Sequence, residues 1–242
     1  MDDPKITVRT EGGRTTVAID AVTSLPLPDR SNQTGFGERA AKIAWRTHQG
    51  RIDALEVSVR DESGHADDRT WRRAELESAF GPRLAGLDAG REPPRVLDAG
   101  DGPFGDKEAA GLGDGRAILE DLLRRTSREV LRADVVTHDG GRDECTKGLT
   151  GKPTGEFRQS LTLEPSLAGD THQIVVLQQI ASYWARQGLD VDISGFYSGN
   201  EDRIKATVHG VGQVSAGPRD PSDRRGTSRL LELWGMTDCL EP

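Results

Sequence analysis

The residues with the most chemical potential are five histidines, two cysteines and several clustered acids. His48, His65, His138, His172 and His209 are scattered along the chain. His65 stands near Asp67 and Asp68, and His138 precedes Asp139, so either could join an acid/base or metal site built in three dimensions. No spacing brings them to one point, and each alone reads as a surface or helix-end histidine. Asp98, Asp101, Asp106 and Glu108 miss the alternating carboxylates and closing glutamate of a calcium loop, so they read as solvated acids. Gly111-Leu112-Gly113-Asp114-Gly115 precedes a helix, where backbone N–H groups can hold phosphate, but Asp114 would repel an anion. Asp114 reads instead as the N-cap. A serine nucleophile elbow is missing from the sequence. Glycoside hydrolysis stays open, because its two carboxylates need no fixed spacing. The residues thus assign no catalytic group, metal ligand or cofactor, and lean away from an enzyme.

Cys145 and Cys239 lie ninety-four residues apart, in neither a C-x-x-C nor a zinc-ligand spacing. Both sit in polar, turn-rich surroundings, where a disulfide is more fitting than two exposed thiols. Closing so long a loop contributes about 4 kcal/mol by restricting the unfolded chain. A bridge implies an oxidising compartment, hence an extracytoplasmic protein, secreted or anchored through a segment outside this chain. The start Met1-Asp2-Asp3-Pro4-Lys5 is abrupt for an exported protein and points to a removed signal, lipoprotein leader or membrane helix. The sequence has no run of about 20 apolar residues, so direct membrane insertion by this chain is not expected.

Net charge is −8, which argues against nucleic acid as a partner and against an anionic membrane surface. The arginine-rich stretch Arg124, Arg125, Arg128 and Arg132 is interleaved with Glu120, Asp121 and Glu129. Their four-residue spacings describe a solvated helix face, not a basic patch. Hydrophobic residues make up 34% of the chain, little to divide between two cores, and the 29 glycines suggest loose connections.

The elements that must position these residues fall into two lobes. In the first, residues 1–83, Lys5–Thr10 and Arg14–Val22 flank Glu11-Gly12-Gly13 as a hairpin. A helix from Phe36 closes at Gly50, the strand Ile52–Arg60 follows, and a helix spans about Thr70 to Phe80. Residues 84–114, with Pro93-Pro94 and many glycines, read as a linker or long loop. The second lobe, 115–242, carries a helix with the stripe Ile118, Leu119, Leu122, Leu123, Thr126 and Val130. A loop bearing Cys145, a strand Phe157–Glu164 and a helix Thr171–Gln187 come next. The strands Leu189–Ile193, Arg203–Ser215 and Leu230–Cys239 then complete an antiparallel sheet, with a polar loop at Gly217–Thr227. The expected fold is α+β, with helices packed on a mainly antiparallel sheet in each lobe.

Trp45 lies about 180° around its helix from Phe36, off the apolar stripe. It is expected to pack against the other lobe or to meet a partner, whereas Trp71, Trp184 and Trp234 have ordinary core explanations.

The run Ser182-Tyr183-Trp184-Ala185-Arg186-Gln187-Gly188-Leu189, the paired cysteines and the arginine-over-lysine bias resemble uncharacterised exported lipoproteins or membrane-anchored proteins of high-GC Gram-positive bacteria. That resemblance covers mainly residues 115–242 and implies an envelope location. The expected function is a non-enzymatic extracytoplasmic binding or accessory module for a protein or cell-envelope component. The alternatives are a hydrolase of cell-wall or glycan substrates and a small-molecule carrier.

Overall fold

A computed structural model of the chain describes residues 4–24, 35–92, 94–147, 151–166, 172–198, 202–219 and 231–242. The fold is α+β, built on two sheets. It divides into two compact units, Met1–Pro93 with Tyr197–Asn200, and Pro94–Phe196 with Glu201–Pro242.

The first unit is a four-stranded sheet, β1 (Lys5–Glu11), β2 (Arg14–Thr23), β3 (Ala54–Asp61) and β4 (Ala66–Arg72), in that spatial order. Gly12 and Gly13 both take positive φ, which gives the β1–β2 hairpin the tight two-residue turn that matches strand twist. The helix α1 (Phe36–Thr47) then carries the chain back so that β3 runs parallel to β2, and β4 returns antiparallel. Val17 and Ile19 of β2 and Leu55, Val57 and Val59 of β3 alternate onto one face. There they meet Ala41, Ala44 and Trp45 of α1. The helix α2 (Arg73–Phe80) closes this core with Leu76 and Phe80.

The predicted Thr70–Phe80 helix is shorter, because Ala66–Arg72 is a strand. The sequence conceals β4 because two of its three inward positions, Asp67 and Arg69, are charged and only Trp71 is apolar. Asp67 is 7% exposed and accepts hydrogen bonds from the Gly37 N–H at 3.2 Å and Arg69 Nε at 2.8 Å. It thus caps the first turn of α1 from a neighbouring strand. Gly37 makes room for this approach, since a Cβ there would lie 2.7 Å from Asp67 Oδ2 and displace the carboxylate.

The second unit is a seven-stranded sheet in the spatial order β5-β8-β9-β10-β11-β7-β6, every neighbouring pair antiparallel. The strands are β5 (Val96–Leu97), β6 (Val135–Lys147), β7 (Lys152–Pro165), β8 (Val191–Asp192), β9 (Ile204–Val208), β10 (Gly212–Pro218) and β11 (Leu231–Thr237). The predicted strand Arg203–Ser215 is therefore two strands joined at His209-Gly210-Val211. Most of the polar loop expected at 217–227 lies outside the described residues. The helices α3 (Leu112–Arg125) and α4 (Gln173–Arg186) bury Leu119, Leu122, Leu123, Ile174, Leu177, Ile180 and Trp184. Asp114 is not the N-cap of α3: it lies inside the first turn and accepts the Ala110 N–H at 3.0 Å.

The glycine-rich stretch after Pro94 contributes β5 and then runs against the end of α4. Gly100 N–H bonds Ala185 O at 2.8 Å and Phe104 N–H bonds Gln187 O at 2.9 Å. Gly102 admits no side chain, since its Cβ would stand 2.0 Å from the Gln187 carbonyl carbon. Cys145, expected in a loop, is on β6 and 6% exposed, and it is bonded to Cys239 with their Cα atoms 6.1 Å apart. Beside the bridge, Phe157 and Leu240 exchange both backbone hydrogen bonds, at 2.8 and 2.9 Å.

Candidate functional site

Trp45 offers nothing to a partner: it is fully buried in the core of the first unit. Its Nε1–H donates to Gly81 O at 2.9 Å, and the guanidinium groups of Arg73 and Arg83 lie 5.5 and 5.1 Å from its ring centre. Arg83 also donates to the carbonyl oxygens of His48 and Gly50, so the cation over the indole doubles as a clamp on the chain leaving α1. The reason the sequence misleads here is geometric. The face of α1 turned to the core is Gly37, Ala41, Ala44 and Trp45, one step round the helix from the expected stripe, whose Phe36 and Ala40 are only partly buried.

The histidines do not converge. His65 meets Asp61 and Ser63 rather than Asp67 and Asp68: Ser63 Oγ lies 2.7 Å from His65 Nδ1 and 2.6 Å from Asp61 Oδ1. Asp61 also accepts the N–H groups of Ser63 and His65, so the three form a turn closure and not a relay. His48 is partly buried, and burial, followed by the positive charge of Arg83, lowers its pKa below the usual histidine value. His172 accepts the first bonds of α4 through its carbonyl, and His209 stands in the β9–β10 turn. Among the described residues no group of three or more His, Cys, Asp or Glu is placed to hold a metal ion.

What the fold does gather is a row of side chains on the face of the seven-stranded sheet turned away from α3. Strand alternation sends Leu161, Leu163, Leu233, Gly235, Val214 and Ala216 toward the helices. It sends Thr162, Trp234 and Ser215 to the other face, aligned across β7, β11 and β10. Ser160, Met236 and Gln213 form the adjacent row, and Lys205 and Thr207 of β9 extend the two rows. Trp234 is partly exposed at the centre, and its indole N–H has no partner among the described residues. By contrast, the N–H of Trp184 is satisfied inside, donating to Thr126 Oγ1 at 2.8 Å.

One end of this face is charged. Arg203 donates to Glu232 at 2.7 Å and to Ser215 Oγ at 3.1 Å. Arg219 donates to Glu164 at 2.9 Å, and His138 Nε2 stands 3.6 Å from the same carboxylate. Glu164 and Glu232 follow directly on the Leu163–Leu233 pair of β7 and β11, so two carboxylates lie on neighbouring strands. Each is engaged by its own arginine. The arrangement can present an aromatic face, the half-buried hydroxyls of Ser160 and Thr162 and both signs of charge to a ligand, whereas Ser215 is 4% exposed and held by Arg203.

Sequence reasoning overlooked Trp234 because Leu-Glu-Leu-Trp-Gly-Met reads as a core strand. The usable signal was its alternation, which puts the tryptophan in phase with Glu232 and Met236.

In the first unit an open depression of about 600 Å³ is lined by Thr70, Trp71, Ala74, Glu75, Ser78 and Ala79. Thr70 and Trp71 come from β4, and the other four line the exposed side of α2.

Fold and site together define an α+β protein of two sheet-bearing units with an aromatic, polar sheet face. No family model, curated protein or solved structure matches the chain.

Proposed function

We propose that this chain is a non-enzymatic extracytoplasmic module that binds a protein or cell-envelope component through the face of its second unit's sheet turned away from α3. The observation that carries the reading is Trp234, a large aromatic left partly exposed at the centre of a sheet face, its N–H unsatisfied among the described residues, beside the half-buried Thr162. An indole so placed offers much contact area together with a polar handle. The Cys145–Cys239 bridge supports an oxidising compartment, and no helix among the described residues is long and apolar enough to cross a membrane. The engagement of Glu164 and Glu232 by arginines favours binding over hydrolysis.

The test is retention of soluble cell-wall fragments and of purified envelope proteins on immobilised wild-type and Trp234→Ala chains. A ligand of this face should lose at least about tenfold in affinity on losing the indole. Equal retention by both chains, or turnover of a glycan by the wild type, would remove the reading.

A further inference from the structure

We infer that the chain forms a two-fold dimer by pairing β1 with β1 of a second copy, independently of the binding face proposed above. β1 is the outermost strand of the first unit's sheet. Ile6 and Val8 stand opposite Ile19 and Val17, on the face that carries the core. Yet Ile6 is 56% and Val8 51% exposed, against 7% for Ile19 and 0% for Val17. The apolar face of the sheet therefore continues past its cover, since α1 packs chiefly on β3 and β4.

The open edge also has unused hydrogen-bonding groups. The Thr15 N–H donates to Asp53 Oδ2 and its carbonyl accepts the Asp53 N–H, both at 2.8 Å and both on the side away from β1. Thr10 and Thr15 are thus a pair without mutual backbone bonds. Antiparallel alternation makes Val8–Val17 and Ile6–Ile19 the same. The N–H and C=O groups of Ile6, Val8 and Thr10 accordingly point to the open edge, with no partner among the described residues. Natural edges are blunted by bulges, prolines and charges; β1 has no bulge or proline, and its charges Lys5, Arg9 and Glu11 all stand on the face opposite Ile6 and Val8.

The sequence of β1 complements itself. Laid antiparallel about Val8, Lys-Ile-Thr-Val-Arg-Thr-Glu sets Lys5 opposite Glu11 of the second copy, Ile6 opposite Thr10, Thr7 opposite Arg9 and Val8 opposite Val8. The groups that face the edge then fall in register: Ile6 bonds Thr10 and Val8 bonds Val8 across the axis. Lys5–Glu11 becomes a pair without backbone bonds, where side chains approach most closely. Asp20 and Arg14, which flank Lys5 and Glu11 within each copy, are each opposite in sign to that neighbour and add no like-charge contact there. Ile6 and Val8 of both copies would meet as one apolar strip, joining two four-stranded sheets into a continuous one. A seam of this size belongs to weak, reversible association, with a dissociation constant expected between roughly micromolar and millimolar.

The experiment is sedimentation velocity of the intact oxidised chain over roughly micromolar to millimolar concentration. The wild type should pass from monomer to dimer. Val8→Pro removes an outward N–H without touching the β1–β2 ladder, and should leave a folded monomer by near-ultraviolet circular dichroism. Lys5→Glu, which sets like charges opposite Glu11, should raise the dissociation constant about tenfold. Adding Glu11→Lys should return it to within about threefold of wild type. A wild type monomeric throughout would overturn the proposal and leave this edge to a different protein. So would a dimer indifferent to Val8→Pro, or a charge-swapped double variant that does not recover. Should Val8→Pro fail to fold, the charge pair alone decides.

Discussion

Tyr183 shows how a single side chain of the second unit ties stability to pH. Its hydroxyl donates to Glu129 Oε2 at 3.2 Å. Burial foremost, then the negative charge of Glu129 and this hydrogen bond, push its pKa from 10.0 up to about 12. The folded chain thus holds the phenolic proton more tightly than the unfolded chain does. The resulting stability is complete below pH 10.0 and is lost as pH rises toward about 12. An ultraviolet titration should show Tyr183 forming phenolate near pH 12, and Glu129→Gln should move that step downward. A Tyr183 step near pH 10.0 that ignores Glu129→Gln would contradict this account. His48 acts in the opposite direction. Its lowered pKa keeps the folded imidazole neutral, so its contribution is present above the ordinary histidine range and fades as pH falls through the lowered value. Stability of the first unit should therefore decline on mild acidification, and His48→Gln should flatten that decline in denaturation midpoints measured across the range.

At the scale of elements, legibility followed amphipathicity. The helix from Phe36, the β1–β2 hairpin and the α4 run were readable because one face of each meets a core and the other meets water. β6 was not, since nearly all of Val135–Lys147 is exposed and its sequence has no alternation to reveal a strand. β4 was hidden by the acid and the arginine it turns inward, and Trp234 by an alternation mistaken for core packing. Site residues fared worse than elements because the sheet face takes its members from β7, β9, β10 and β11, whose registers no single stretch of sequence contains. The concealed acid has a measurable role. Asp67→Ala strips a buried acceptor from the Gly37 N–H and a partner from Arg69, and should destabilise the first unit by about 1–3 kcal/mol. Gly37→Ala should cost less, because the added methyl displaces the end of the Asp67 side chain but gains helix propensity in α1. Chemical denaturation of each variant would measure the loss, and an unchanged midpoint for Asp67→Ala would refute the tertiary cap.

On the scale of the whole molecule, each unit closes its own core, so the chain should not unfold as one two-state transition. Cys145 and Cys239 both belong to the second unit, and the bridge joins β6 to the segment after β11 across ninety-four positions. Restricting so long a loop in the unfolded chain is worth about 4 kcal/mol. The same ends are also held by the Phe157–Leu240 backbone pair and by the Leu112 N–H on Glu241 O at 2.7 Å. A reduced chain should therefore keep the native sheet and lose stability, rather than fail to fold. Hydrogen exchange can separate the two units in one sample. In the Cys145→Ser/Cys239→Ser variant, protection of core amides such as Leu161 and Leu233 should fall by roughly the full bridge contribution, about a thousandfold. Amides of Val17 and Leu55, in a core to which the bridge contributes no restraint, should keep theirs. Equal losses in both sets would mean that the units unfold together, and the assignment of the bridge's stabilisation to the second unit alone would have to be abandoned.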